Sequence, residues 1–284
     1  MAQDDALEEV FRLVSDETRL DIIRALWTNR VESGFLKDEP ISFSTLRDHV
    51  GVRDSGRFNY HLNQLIPQLV REHEEGYSLT NAGGRIIGAV VSGAYTSVEL
   101  DREPVELDGC PRDECGGTMS AIYQEGHIDV TCSECPMRSQ MPVPPILLEH
   151  YGLQEIADGT VPFAFSQLQS ILRGFCLLCQ GSLERGVSDT SKNRVKIEHE
   201  CQGCGSLSHT TATQLLIDHP ETISMLHEAG IDYRELALWE LDHRLDSSET
   251  IEHEDPLHIH VELSIDGQQR TALLSEDLET VRWQ

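Results

Sequence analysis

Ser42-Phe43-Ser44-Thr45-Leu46-Arg47-Asp48-His49-Val50-Gly51-Val52-Arg53-Asp54-Ser55-Gly56-Arg57-Phe58-Asn59-Tyr60-His61-Leu62-Asn63-Gln64-Leu65 decides the fold of the first third of the chain. Ser42 is a helix-capping residue, and Phe43, Leu46 and Val50 follow it at helical spacing. Gly51 can end that helix in the left-handed conformation. Asp54 or Ser55 starts a second helix with an apolar stripe of Phe58, Leu62 and Leu65, and Pro67 stops it. Two short helices joined by a tight Gly-containing turn make a helix-turn-helix. The same periodicity exposes Arg57, Asn59, Tyr60, Asn63 and Gln64. Arg, Asn and Gln are the side chains that pair bidentately with base edges in the major groove. Thr45, Arg47, Arg53 and Ser55 complete the candidate DNA-binding set, and His61 is expected to pack under its helix.

Upstream, Ala6 to Leu13 reads as a short amphipathic helix. A second begins near Ser15-Asp16, with Leu20, Ile23 and Trp27 on its apolar face, joined by Ile22 and Leu26. A polar loop runs from Asn29 to Pro40. Downstream, Leu69 to Leu79 reads as a two-stranded hairpin, or wing, turning at Glu75-Gly76. A last helix, Ala82 to Tyr95, carries Ile86, Ile87, Val90 and Val91, more apolar surface than one small domain needs. The expectation is a homodimer through the first and last helices of residues 1–98.

The 284 residues carry 49 acidic and 22 basic side chains, net −27, which excludes a polyanion binder that works by overall charge. Ser42 to Arg71 holds four arginines against two aspartates, the local basic surface that DNA binding requires. Only three basic residues are lysines (Lys37, Lys192 and Lys196). High acidity with so little lysine resembles cytosolic proteins of extreme halophiles, where the Debye length falls to about 3 Å near 1 M salt. The longest apolar run, Ile86 to Val91, is far short of a membrane span, and the acidic N-terminus is unlike a secretory signal. The expected location is cytoplasmic, with no membrane partner. Thiols there stay reduced, so disulfides explain eight cysteines poorly.

Asp16-Glu17-Thr18-Arg19-Leu20-Asp21-Ile22-Ile23 resembles the opening signature of ArsR-type winged-helix regulators, and Asn59 to Leu65 resembles their recognition helix. Gly76 to Gly83 resembles their wing and the step after it. His227 to Asp232 and Leu238 to Leu241 are similar to haloarchaeal regulators of this type. The resemblance implies a winged helix that binds double-stranded DNA. Two departures stand against a full transfer. Phe43 to Val50 lacks the cysteines of the metal-sensing members, and the wing is acidic (Glu72, Glu74 and Glu75).

All eight cysteines lie between Cys110 and Cys204, beyond an acidic linker at 99–109. Cys110-x4-Cys115 is followed after 16 residues by Cys132-x2-Cys135, and Cys176-x2-Cys179 after 21 residues by Cys201-x2-Cys204. Two closely spaced thiols bite one metal from a tight turn, and two such turns across a hairpin complete a tetrahedron. Glu125-Gly126 and Asp189 to Asn193 are the expected hairpin loops, so each set reads as a zinc ribbon holding one Zn2+. Rubredoxin-like iron and a thiol redox switch are the other readings. Four thiolates leave no open coordination position, which disfavours hydrolytic metal chemistry. The zinc deaminase pattern is absent, since no C-x-x-C here follows a proline.

A shift of 69 residues superposes Cys132-x-x-Cys135 on Cys201-x-x-Cys204 and Leu147 to His150 on Leu216 to His219, an internal duplication. His150 and His219 would end the repeated helix. Beyond the second set, Ala212 to Ile217, Pro220 to Ala229 and Arg234 to Leu245 read as helices. Asp266-Gly267 marks a hairpin in the tail. His258 and His260 fall on one face of a strand, Leu257 to Ile265, as a metal pair or as half-exposed strand histidines. His199 and His209 lie near the second cluster.

The fold expected is α+β. A winged helix-turn-helix occupies 1–98, two tetracysteine zinc-ribbon-like units with helices occupy 110–174 and 175–245, and a β-rich tail follows at 246–284. No nucleophile–base pair or Gly-rich phosphate loop is present, so the chain reads as a DNA-binding transcriptional regulator and not an enzyme. Its C-terminal region would meet a protein partner or effector. The alternatives are a zinc-ribbon protein-interaction or RNA-associated adaptor, and a redox or metal sensor acting through the tetracysteine sites.

Overall fold

The computed structural model describes residues 2–33, 39–93, 103–112, 114–152, 155–191, 194–237, 240–241, 244–279 and 281–284. The fold is mixed α+β with several small antiparallel sheets. Its contacts divide it into two compact units, one of residues 1–99 with 144–146, the other of 100–143 with 147–284.

The first unit begins with α1 (Ala2–Val14), α2 (Glu17–Ser33), α3 (Phe43–Val50) and α4 (Ser55–Leu65). The starts of α2, α3 and α4 are explained by their caps. Asp16 Oδ1 accepts from the Arg19 N–H at 3.1 Å, Ser42 Oγ from Thr45 at 3.2 Å and Asp54 Oδ1 from Arg57 at 2.8 Å. Gly51 closes α3 at φ 75°, as its position after the apolar stripe predicts. Next come β1 (Val70–His73), β2 (Gly76–Leu79) and α5 (Asn81–Val91). The hairpin turns at Glu74-Glu75, one residue before the expected Glu75-Gly76, because Gly76 pairs with His73. Ile41 exchanges two backbone hydrogen bonds of 2.9 Å with Tyr77 and so edges the hairpin.

Ile22, Ile23 and Leu26 of α2, Leu46 of α3, and Phe58, Leu62 and Leu65 of α4 form one core with Leu69, Val70 and Leu79. Leu20, expected inside, is exposed, and Trp27 is only half-buried. The α2 face that turns inward is centred on Ile22, Ile23 and Leu26. α2 also runs to Ser33, into the expected polar loop, whose residues 34–38 lie outside the described set. α5 ends at Val91, and the expected extension to Tyr95 falls on undescribed residues.

In the second unit, β3 (Val105–Gly109), β4 (Thr118–Gln124), β5 (His127–Cys132) and β6 (Arg138–Pro142) pair in sequence order. β3 occupies the second half of the segment expected as a linker. α6 (Pro145–Tyr151) and α7 (Ile156–Leu172) follow, and then β7 (Leu183–Ser191), β8 (Arg194–Cys201) and β9 (Leu207–Thr211), again in order. β4 to β6 and β7 to β9 therefore repeat one plan of cysteine turn, strand, strand ending in cysteine, cysteine turn and strand, to which the first of these sheets adds β3.

The duplication fades after the strands. Leu147 to His150 lie in α6, but only α8 (Ala212–Leu215) precedes Leu216. His219 starts a helix instead of ending one, since its side chain caps α9 (Pro220–Glu228). Tyr233–Glu235 is a single 3-10 turn, a correction to the helix expected from Arg234; Glu240, Leu241 and Arg244 are helical, whereas Leu238, Trp239, Asp242 and His243 lie outside the described residues.

β10 (Asp246–Glu254), β11 (Leu257–Ile265), β12 (Gln268–Leu274) and β13 (Val281–Trp283) complete the chain as a meander. Glu125-Gly126 (φ 52° and 86°) and Asp266-Gly267 (φ 47° and 78°) form the tight hairpin turns that their sequences predict. One core joins the β4–β5 sheet to α7 and α9 through Met119, Ile128, Val130, Ala164, Phe165 and Met225. A second joins Val195 and Ile197 of β8 to Ile259, Val261, Ala272 and Leu274 of the meander.

Glu249 of β10 is 2% exposed. Its carboxylate accepts from the backbone N–H groups of Val195 (2.5 Å) and Thr213 (2.9 Å), and Arg194 Nη1 lies 3.3 Å away. It thus ties β8 and the start of α8 to β10. Replacing Glu249 with Ala strands two buried amides and is expected to cost about 3–5 kcal/mol. A urea melt of the variant measures it, and a loss under about 1 kcal/mol would contradict this role.

Candidate metal centres and candidate nucleic-acid interface

All eight cysteines assemble as their spacing predicts. Cys110, Cys115, Cys132 and Cys135 form one group, and Cys176, Cys179, Cys201 and Cys204 a second. Within each, the four sulfurs lie within 4.8 Å of one another. None is in a disulfide. Sulfur separations are 3.8 Å (Cys110–Cys135), 3.7 Å (Cys115–Cys132), 3.7 Å (Cys176–Cys204) and 3.4 Å (Cys179–Cys201). Four sulfurs on one tetrahedral ion, at about 2.3 Å each, stand about 3.8 Å apart. The donor set therefore fits a four-coordinate thiophilic metal in both places.

The backbone is wound to favour thiolate. Cys132, Cys176 and Cys201 each close a turn by donating their N–H to the carbonyl five residues on, at Met137, Gly181 and Ser206. The longer x4 gap stretches the remaining turn to a Cys110–Gly117 bond. These turns aim amides at sulfur: Leu178 N–H at Cys176, Gly181 N–H at Cys179 and Gly203 N–H at Cys201. Gly117 is required by space, since a Cβ there would stand 2.7 Å from Cys132 Sγ.

The electrostatics point the same way. Backbone amides of Glu134 and Cys135 bring the Cys132 thiol down to about 6. The Cys179 amide, with the Ser206 hydroxyl, does the same for Cys176. Their partners move oppositely. The Gly181 amide pulls Cys179 down, but the crowding Cys201 and Cys204 thiols push it up to about 12. Cys115, opposed in the same way by its amide at Gly117, also rises to about 12. Four thiols this close cannot all ionise unless a cation sits among them.

Among the nearby histidines, His199 is fully buried and bonds Thr210 Oγ1 at 2.8 Å. Burial lowers its pKa to about 4, so it sits there neutral. His209 faces Glu198 at 3.3 Å.

The second candidate site is α4. At about 100° per residue, Phe58, His61, Leu62 and Leu65 share the inner face, and all four are buried. Gly56, Asn59, Tyr60, Asn63 and Gln64 share the outer one, with Ser55 and Arg57 at its edges, and all are exposed. His61 is placed as expected, under the helix, with Nδ1 3.1 Å from Asp16 Oδ1, near enough for an ion pair but not aligned as a hydrogen bond. Around the turn, Arg53 is exposed. Arg47 is half-buried and paired with Asp48 at 3.2 Å, and Thr45 bonds Ser42 Oγ at 2.8 Å. Thr45 and Arg47 are thus partly engaged within the protein. Gly56, which leaves the centre of the outer face open, had no place in the sequence reading because it offers no side chain.

Among the described residues no helix is long and apolar enough to cross a membrane. The profile of a family described as a domain of unknown function, DUF7351, matches residues 108–280, and a second domain of unknown function, DUF7347, matches residues 7–90. No curated protein matches the chain, and no solved structure does.

Proposed function

The chain belongs to the DUF7351 family, and from its residues we propose that it is a DNA-binding transcriptional regulator with structural zinc. On this reading α2 to α5, with Ile41 and the β1–β2 hairpin, are a winged helix-turn-helix. α4 lies in the major groove with Asn59, Asn63, Gln64 and Arg57 toward base edges. The observation that carries the reading is the division of α4, whose buried stripe is wholly committed to the core while its outer face offers amide and guanidinium donors and no carboxylate.

The wing carries exposed Glu72, Glu74 and Glu75, which phosphates would repel. Backbone contact then falls to the arginines of the turn, Arg53 first. An Arg53→Ala variant is expected to bind all sequences more weakly by a similar factor and to lower the slope of log K against log salt by about 1. Mobility shifts over a salt series measure this. A loss confined to one base position would make Arg53 a base reader.

The two tetracysteine clusters hold Zn2+ as closed sites that shape the C-terminal region and perform no chemistry, and the reading assigns no catalytic step. Exposed Val10 and Phe11 on α1, with Val90 and Val91 on α5, support pairing of two copies through those helices.

A second reading, a zinc-held protein-interaction adaptor, has one observation in its favour. Phe175, Leu178 and Leu207, around the second cluster, are 53%, 80% and 55% exposed. The first cluster has Gly109 and Arg138 in the places of Phe175 and Leu207. The two readings are compatible if this patch receives a partner of the regulator.

A further inference from the structure

We propose that the outer face of the β10–β11 hairpin binds a divalent transition-metal ion through His253, His258 and His260. His258 and His260 flank Ile259, which is fully buried, so both imidazoles leave the strand on its outer side. The register then adds a third. His253 of β10 is the cross-strand partner of His258, and their ring centres are 6.0 Å apart. Two imidazoles on one tetrahedral ion, with metal–nitrogen bonds of about 2.0–2.1 Å, have ring centres about 5 Å apart. The imidazoles are therefore not yet gathered as in the tetracysteine clusters, and binding would require the rings to rotate toward one another.

The strand irregularity supplies the support. The β10–β11 register slips between Ile251 and His253. Glu252, at the slip, brings Oε2 to 2.9 Å from Nε2 of His260. A carboxylate on one ring nitrogen fixes the tautomer and the orientation of the ring, the usual support of a metal-binding histidine. Nδ1 of His260 is left as the donor.

Nitrogen donors alone suit zinc, copper or nickel, a class distinct from that of the all-thiolate clusters. Three protein ligands leave one position for water, and His253 is exposed with His258 and His260 half-buried. An ion there would keep an open coordination position, unlike the closed tetracysteine sites.

Calorimetric titration of the full chain with ZnCl2, both tetracysteine clusters already filled, tests the proposal. A third equivalent is expected. It disappears in His258→Gln, weakens about tenfold in Glu252→Gln, and is unchanged in His209→Gln. Absence of a third equivalent, or one that survives both His253→Gln and His258→Gln, overturns the proposal. Should a variant misfold, the unmodified chain still decides. The 15N signals of the three named imidazoles should move together as the third equivalent binds, and movement of other histidines in their place overturns it.

Discussion

Removing the metal from the two tetracysteine clusters is expected to abolish the cooperative unfolding of the second unit while that of the first remains. Metal binding is worth on the order of 10–16 kcal/mol in zinc-finger peptides, against roughly 5–15 kcal/mol for the whole stability of an ordinary domain. The clusters also close the turns that lead into β4, β6, β7 and β9, so a relaxed cluster frees the strand ends around it. Elemental analysis should find two zinc ions per chain. A strong chelator, or acid that protonates the thiolates, should then flatten the near-ultraviolet circular dichroism of the second unit. An apo chain whose second unit melts unchanged would contradict the structural role. A metal-free chain that stays folded but changes its DNA affinity would favour the sensor reading.

The Arg57→Ala, Asn63→Ala double variant is expected to lose about 2–6 kcal/mol of discrimination between specific and random DNA, at about 1–3 kcal/mol for each base contact. Both side chains are exposed on α4 and outside its buried stripe, so the core of the first unit is untouched. The melting temperature should therefore hold while specific affinity falls and non-specific affinity changes little. Equal loss on both kinds of DNA would reduce α4 to a phosphate-binding element. No change on either would leave the adaptor reading standing.

Much of this was legible because the signals are local. Ser42, Gly51 and Asp54 mark helix ends by chemistry confined to one turn, and the thiol spacing states its own geometry. Glu125-Gly126 and Asp266-Gly267 carry their hairpins in two residues. What escaped depends on partners distant in the chain. Glu249 looks like one more surface carboxylate in an acidic protein until Val195 and Thr213 bring their amides to it. His253 and His258 read as unrelated until the β10–β11 register sets them opposite each other. The inward face of α2 shifted from Leu20 toward Ile22 because packing against α3 and α4, and not periodicity alone, selects which apolar residues are covered. The hairpin turn moved by one residue because Gly76 pairs within the ladder.

Selection from a random duplex library by the zinc-loaded full chain, at high potassium chloride, tests most directly whether α4 reads sequence. The expected result is enrichment of one motif built of two half-sites about one helical turn apart, and loss of that enrichment in the Arg57→Ala, Asn63→Ala variant. A pool that stays random through repeated rounds, with uniformly weak retention, would contradict the proposed regulator.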